Sequence, residues 1–159
     1  MRILLAYSGG LDTSYLVAKL SREGHEVVAC TIDCGGFDEA ERLTIAERAQ
    51  LYGAKQHLFL EARAIMFERV LRWLIAANVL RGRVYPLSVG AERGLQAELL
   101  AAHAVEHGFD ALAHGCTAAG NDQVRFDAAL RVIAPQVQVL APIRDEAPSR
   151  EEQTAWLEA

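Results

Sequence analysis

Apolar and polar positions alternate along the chain in blocks of two kinds. Short continuous apolar runs, Ile3-Leu4-Leu5-Ala6-Tyr7, Val27 to Ile32, Gln56 to Leu60, Ala111-Leu112-Ala113 and Val137 to Ala141, read as buried strands. Between them lie stretches in which apolar residues recur at helical spacing. Leu16, Val17 and Leu20 mark a helix from Thr13 to Glu23 that Gly24 stops. Similar patterns predict helices from about Asp38 to Tyr52, from Ala62 to Leu80, and from about Ala91 to His107. Arg81-Gly82-Arg83 and Pro86 mark a break before the last of these. Strands alternating with helices predict an α/β fold, a parallel twisted sheet with helices on both faces and ligands at the carboxyl ends of the strands.

Composition narrows the class. The 159 residues are 52% hydrophobic and 23% charged, which suits one globular domain. A formal net charge of −5 argues against a nucleic-acid surface, which needs clustered Lys and Arg. It does not exclude an anionic ligand, because a helix N-terminus binds phosphate through backbone amides. Three cysteines, Cys30, Cys34 and Cys116, lack zinc spacing and are expected to be reduced thiols. With no long apolar span and no leader pattern, the expected location is the cytoplasm, without a membrane partner.

Three loops follow predicted strands and so should share one rim of the sheet. In the first, Ser8-Gly9-Gly10-Leu11-Asp12-Thr13-Ser14, paired glycines admit an anion to the backbone and three hydroxyls add donors. A helix beginning there turns its positive end to the same spot. Asp12 fits this setting if a magnesium ion bridges it to phosphates. The alternative is a strand–turn–helix junction in which Asp12 or Thr13 is only an N-cap. Neither the Walker A ending nor the Rossmann glycine spacing is present.

Ala6-Tyr7-Ser8-Gly9-Gly10-Leu11-Asp12-Thr13-Ser14 resembles the pyrophosphate loop of argininosuccinate synthases, within the wider N-type ATP pyrophosphatases. The run from Ala113-His114-Gly115-Cys116-Thr117 through Gly120-Asn121-Asp122-Gln123-Val124-Arg125-Phe126 is similar to a longer signature of the same family. Tyr85-Pro86-Leu87, Arg93 and the stretch from Ala141 to Glu152 resemble further family segments. The resemblance implies an AMP-forming ligase of arginine biosynthesis: the citrulline ureido oxygen is adenylated by ATP, and the aspartate amine then displaces AMP.

Carried over, it implies ATP contacts at Ala6, Tyr7, Ser8, Gly9, Gly10, Asp12, Thr13, Ser14, Ile32 and Gly115, with Asp12 as the catalytic, magnesium-linked carboxylate. Thr117, Asn121 and Asp122 would meet aspartate, and Tyr85, Asn121 and Arg125 would hold citrulline. Each has a structural rival. Asn121-Asp122 could cap the next helix, Arg125 could be a solvated helix residue, Tyr85 a packing aromatic, and His114 a satisfied structural histidine.

The chain departs from the family pattern at Val89 and Gly90, where hydroxyls are usual, at Ala118-Ala119, where a Gly-Lys pair is usual, and at Gly36. Two variants of the function therefore stand beside it: a related adenylating enzyme with other substrates, and a non-catalytic ATP-binding module. The family also implies a second domain and a homotetramer. Residues 1–144 are expected to form the ATP-binding domain, and 145–159 to begin the connection onward.

Overall fold

The computed structural model describes residues 1–158. Five strands, β1 (Arg2–Ala6), β2 (Glu26–Asp33), β3 (Gln56–Glu61), β6 (Ala111–His114) and β7 (Gln138–Leu140), form one parallel sheet in the order β3-β2-β1-β6-β7. A two-residue pair, β4 (Leu80–Arg81) and β5 (Tyr85–Pro86), forms a separate antiparallel hairpin. The eight α-helices described are α1 (Leu11–Arg22), α2 (Glu39–Leu51), α3 (Arg63–Met66), α4 (Arg72–Ala76), α5 (Ser88–Glu106), α6 (Asp122–Ile133), α7 (Pro142–Glu146) and α8 (Arg150–Glu158).

The period of two in β1 sends its side chains to two cores. Ile3 and Leu5 join Leu16 and Leu20 of α1 and Ile45 and Ala49 of α2 on one face. Leu4 joins Ala97, Leu100 and Ala101 of α5 and Phe126 and Leu130 of α6 on the other. Both faces of β1 are covered, which is why its sequence is a continuous apolar run with no alternation. After β1 the chain moves outward through β2 and β3. It returns to the opposite side of β1 for β6 and β7. The β1/β6 boundary is thus the point where strand order reverses, and a crevice opens there at the carboxyl ends.

The single helix expected over Ala62 to Leu80 is not one helix. α3 gives way to a π-helical turn at Phe67–Leu71, then to α4, and the chain turns at Asn78 with φ 47°. Its apolar residues lie all round the axis, and within α3, the π turn and α4 only Met66 is buried, so no core stripe holds a regular helix in register. Ile65, Phe67, Trp73 and Ile75 are exposed.

Residues 145 onward fold back on the sheet's first helix. Trp156 of α8 meets Tyr15 of α1 edge to face at 5.3 Å, Arg22 lies over the same indole at 4.1 Å, and Gln153 is buried. Lys19 of α1 pairs with Glu146 at 2.6 Å. Ala159, the last residue of the expected connection, lies outside the described residues.

Candidate functional site

The loop after β1 is built by two clamps from beneath. Thr31 Oγ1 on β2 donates to the Tyr7 carbonyl at 2.8 Å, and Arg48 of α2 donates to the Gly9 carbonyl at 2.5 Å. Both carbonyls are thereby occupied on the protein side. Gly9 sits at φ 75°, and a β-carbon there would lie 2.9 Å from Ile45 Cγ1. Only glycine fits a left-handed residue pressed against a neighbouring helix.

Helix α1 has Gly10 as its N-cap, with no side-chain cap. The amides of Leu11, Asp12 and Thr13 therefore have no intrahelical acceptor, and Ser14 N is the first to find one, at Gly10 O, 3.0 Å. The competing reading of Asp12 or Thr13 as N-cap does not hold. Thr13 Oγ1 instead donates to the Gly10 carbonyl and meets Ser8 Oγ, each at 3.2 Å. Ser14 turns into the core and shares a 3.2 Å hydrogen bond with the Tyr7 hydroxyl. Burial pushes the Tyr7 phenol above its ordinary range, so it stays neutral.

These elements border a cavity of about 370 Å³ at the β1/β6 crevice. Ser8, Asp12 and Thr13 form one side; Ile32, Leu100 and Phe126 give an apolar wall; Gly115, Cys116, Thr117 and Asp122 form the far side. Gly115 approaches α1 closely: a β-carbon there would stand 3.1 Å from Thr13 Cγ2 and 3.4 Å from Asp12 Cβ. Ala6, Tyr7, Ser8, Asp12, Thr13, Ile32, Gly115, Thr117 and Asp122 thus converge on one cavity. Gly9 and Gly10 shape the loop without lining it. Tyr85 does not join them; it stands on the β4–β5 hairpin, 53% exposed.

Asn121 is the N-cap of α6, but its side chain caps nothing. Arg125 donates to Asp122 Oδ1 at 2.6 Å, so it is not a freely solvated residue, and it stands behind Asp122 without lining the cavity itself. Its guanidinium lies along Gly90, where a β-carbon would come within 3.0 Å of Arg125 Nη2. The neighbour is the far end of a flexible side chain, so a small residue at position 90 would only need the guanidinium to shift slightly.

His114 closes β6 and is fully buried. Its Nδ1 accepts from the Cys116 amide at 3.3 Å, whereas Nε2 has no hydrogen-bond partner and stands 3.7 Å from Asp127 Oδ1. It lines the cavity with only one of its two ring nitrogens hydrogen-bonded. Burial is the main cause that holds its pKa below the usual histidine range. Burial also pushes the thiols of Cys34 and Cys116 to about 11 and that of Cys30 to about 12, so all three stay protonated.

Thr31 is itself held by His57, whose Nε2 lies 2.9 Å from Thr31 Oγ1. The Thr31 proton goes to Tyr7 O, so His57 is the donor in this pair. Burial lowers the His57 pKa from 6.5 to about 4. The unfolded chain therefore binds a proton that the folded chain refuses, and stability should fall as pH drops from 6.5 toward about 4. His57→Gln, which keeps a donor, is expected to flatten that decline in urea unfolding series; an unchanged pH slope would show that other groups carry it.

The family model described as Arginosuccinate synthase N-terminal HUP domain matches residues 2–159. The chain belongs to the argininosuccinate synthase family. It is 43% identical over 157 residues to argininosuccinate synthase of Thermosynechococcus vestitus, covering 98% of this chain and 39% of that protein. It is 40% identical to that of Limosilactobacillus reuteri over 155 residues (98% and 37%), and 42% to that of Pyrococcus furiosus over 147 residues (91% and 35%).

The chain thus spans about two fifths of the length of these argininosuccinate synthases. In fold it is similar to a crystal structure described as a predicted subunit of tRNA methyltransferase from Methanocaldococcus jannaschii. The TM-score is 0.68 at 16% identity, with 99% of this chain and 74% of that one covered.

Two site features carry no signal along the sequence. Arg48 looks like any polar residue of a surface helix, and Thr31 like one β-branched residue in a strand. Their roles as clamps come from the register of α2 and β2 against the loop.

Proposed function

We propose that this chain binds ATP in the β1/β6 crevice and forms the adenylating part of an argininosuccinate synthase. The observation that carries the reading is the uncapped start of α1. Amides without intrahelical acceptors follow a clamped glycine loop, and two of their residues, Asp12 and Thr13, line a nucleotide-sized cavity with an apolar wall at Ile32 and Phe126. The β- and γ-phosphates would lie at Ser8 to Thr13, and the base against Ile32.

In the proposed reaction the citrulline ureido oxygen bonds to the α-phosphorus and pyrophosphate leaves. The aspartate amine then attacks the citrulline carbon and AMP departs. The loop amides offset the charge gathering on pyrophosphate. Thr117, Asn121 and Asp122 would orient aspartate, and Asn121 and Arg125 citrulline, with Tyr85 brought in from its hairpin.

Among the described residues no cluster of three or more metal-ligating side chains occurs, and the carboxylates on the cavity wall are Asp12, beside the loop, and Asp122, which pairs with Arg125. That suits magnesium carried in on phosphate oxygens, where it would neutralise their charge. Among the described residues no helix is long and apolar enough to cross a membrane. A cytoplasmic enzyme, homo-oligomeric once the rest of the family's length is present, is the setting we propose.

A second reading keeps adenylation and changes the amino acids. Exposed Val89 and side-chain-free Gly90, at positions where hydroxyls are usual in the family, motivate it. Calorimetric titration of Mg-ATP separates ATP binding from these finer questions. The wild-type chain is expected to bind, and Asp12→Ala to bind at least about tenfold more weakly, in line with a lost charge-assisted contact of about 1.5 kcal/mol or more. No heat with the folded wild-type chain would sink the reading.

A further inference from the structure

We infer that Arg93 is the cationic partner of the nucleotide phosphate nearest the nucleoside, across the cavity from the amide loop. The inference rests on the ATP-binding reading above and adds a residue to which neither the loop motif nor the Gly115–Phe126 signature assigns a role. Among the described residues lining the cavity, Arg93 is the only Lys or Arg. Asp12 and Asp122 are the carboxylates there, so the cavity does not otherwise favour an anion on its α5 side.

Arg93 has only a loose counterion, which it shares with Arg125. Its Nη1 donates to the neutral Gln96 amide at 2.7 Å, and its Nε stands 3.8 Å from Asp122 Oδ2. Asp122 is already held at 2.6 Å by Arg125. The positive charge of Arg93 lowers the pKa of both the Cys34 and Cys116 thiols, against the larger effect of burial. Arg93 lines the same cavity as Ile32 at the end of β2 and Gly115 and Cys116 after β6.

A planar guanidinium fork matches a phosphoryl group, and an arginine with one loose ion pair is free to turn to it. At 370 Å³ the cavity has room for a ligand of nucleotide size, whose phosphates would share it with Arg93. The need is sharpened at the loop after β6, where Ala118-Ala119 supply no cation.

The test is calorimetry of the full chain with Mg-ATP, AMP and adenosine, for wild type, Arg93→Gln and Arg93→Lys. Thermal unfolding of each variant shows that it is folded. Arg93→Gln should lose at least tenfold in affinity for both Mg-ATP and AMP and keep wild-type affinity for adenosine. Arg93→Lys should fall between, and the ionic-strength dependence of AMP binding should flatten in Arg93→Gln.

Unchanged AMP and Mg-ATP affinities in Arg93→Gln, with wild type binding normally, would overturn the inference and leave the ATP reading intact. That result would move Arg93 to an amino-acid carboxylate. An equal loss for adenosine would overturn it as well, by showing a change of shape. Failure of the wild type to bind any nucleotide would instead remove the reading beneath both.

Discussion

Gly9→Ala is expected to weaken Mg-ATP binding by about a hundredfold, the equivalent of two charge-assisted hydrogen bonds at about 1.5 kcal/mol each. The loop cannot keep its shape with a β-carbon. At φ 75° an L side chain is strained, by about 1–2 kcal/mol. The added methyl would also stand 2.9 Å from Ile45 Cγ1. Ile45 is buried and β-branched, so it cannot swing aside, and overpacking costs a further ~1–3 kcal/mol.

The loop must then move away from α2, against the 2.5 Å bond that Arg48 makes to the Gly9 carbonyl. Both routes turn amides away from the cavity. Calorimetry checks the affinity and urea unfolding the stability. A second substitution, Ile45→Ala, should recover part of the lost affinity by removing the clash. Gly9→Ala binding as wild type would show that the amides do not hold the phosphates.

Asp33→Ala should give the largest loss of stability among single changes near the site, about 2–3 kcal/mol in urea unfolding. Asp33 ends β2 and is fully buried. Its Oδ1 accepts from the Gly35 amide at 2.7 Å, and its Oδ2 takes Arg42 Nε at 3.0 Å and Nη2 at 2.8 Å. Removing the carboxylate leaves the Gly35 amide unpaired next to a small void.

Arg42 is not stranded, because Glu61 stands 3.3 Å from its Nη2, which places the cost below that of a fully isolated buried charge. Asp33→Asn, which keeps an acceptor for Gly35, should lose roughly half as much. Ile32 precedes Asp33 on the strand, so adenosine affinity should fall along with stability. An Asp33→Ala chain as stable as wild type would mean that the turn after β2 is held by its backbone alone.

Much of this was legible along the chain. The apolar runs at Ile3 to Tyr7, Val27 to Ile32 and Ala111 to Ala113 became β1, β2 and β6 within one or two residues. A strand buried on both faces must be continuously apolar whatever packs on it. The glycine-rich loop before α1 was equally legible, because backbone conformation and anion access are local demands met by local residues. The segment from Ala62 to Leu80 was not. Its helical period is real, but whether it forms one helix depends on having a face to bury, and the fold offers it only Met66's place.

Sequence alone therefore determined the strand–loop–helix units and the parallel α/β class, since each follows from residues adjacent in the chain, whereas whether Asp12 or Thr13 caps α1 was left to the structure. Only the tertiary structure decided which residues share the crevice. Arg48 reaches Gly9 from 39 residues away, and Arg93 enters the cavity beside Asp122. Ser14 turns into the core, and Tyr85 stays on an exposed hairpin. Those placements depend on the strand order β3-β2-β1-β6-β7 and on the docking of α2, α5 and α6, which are set by long-range packing.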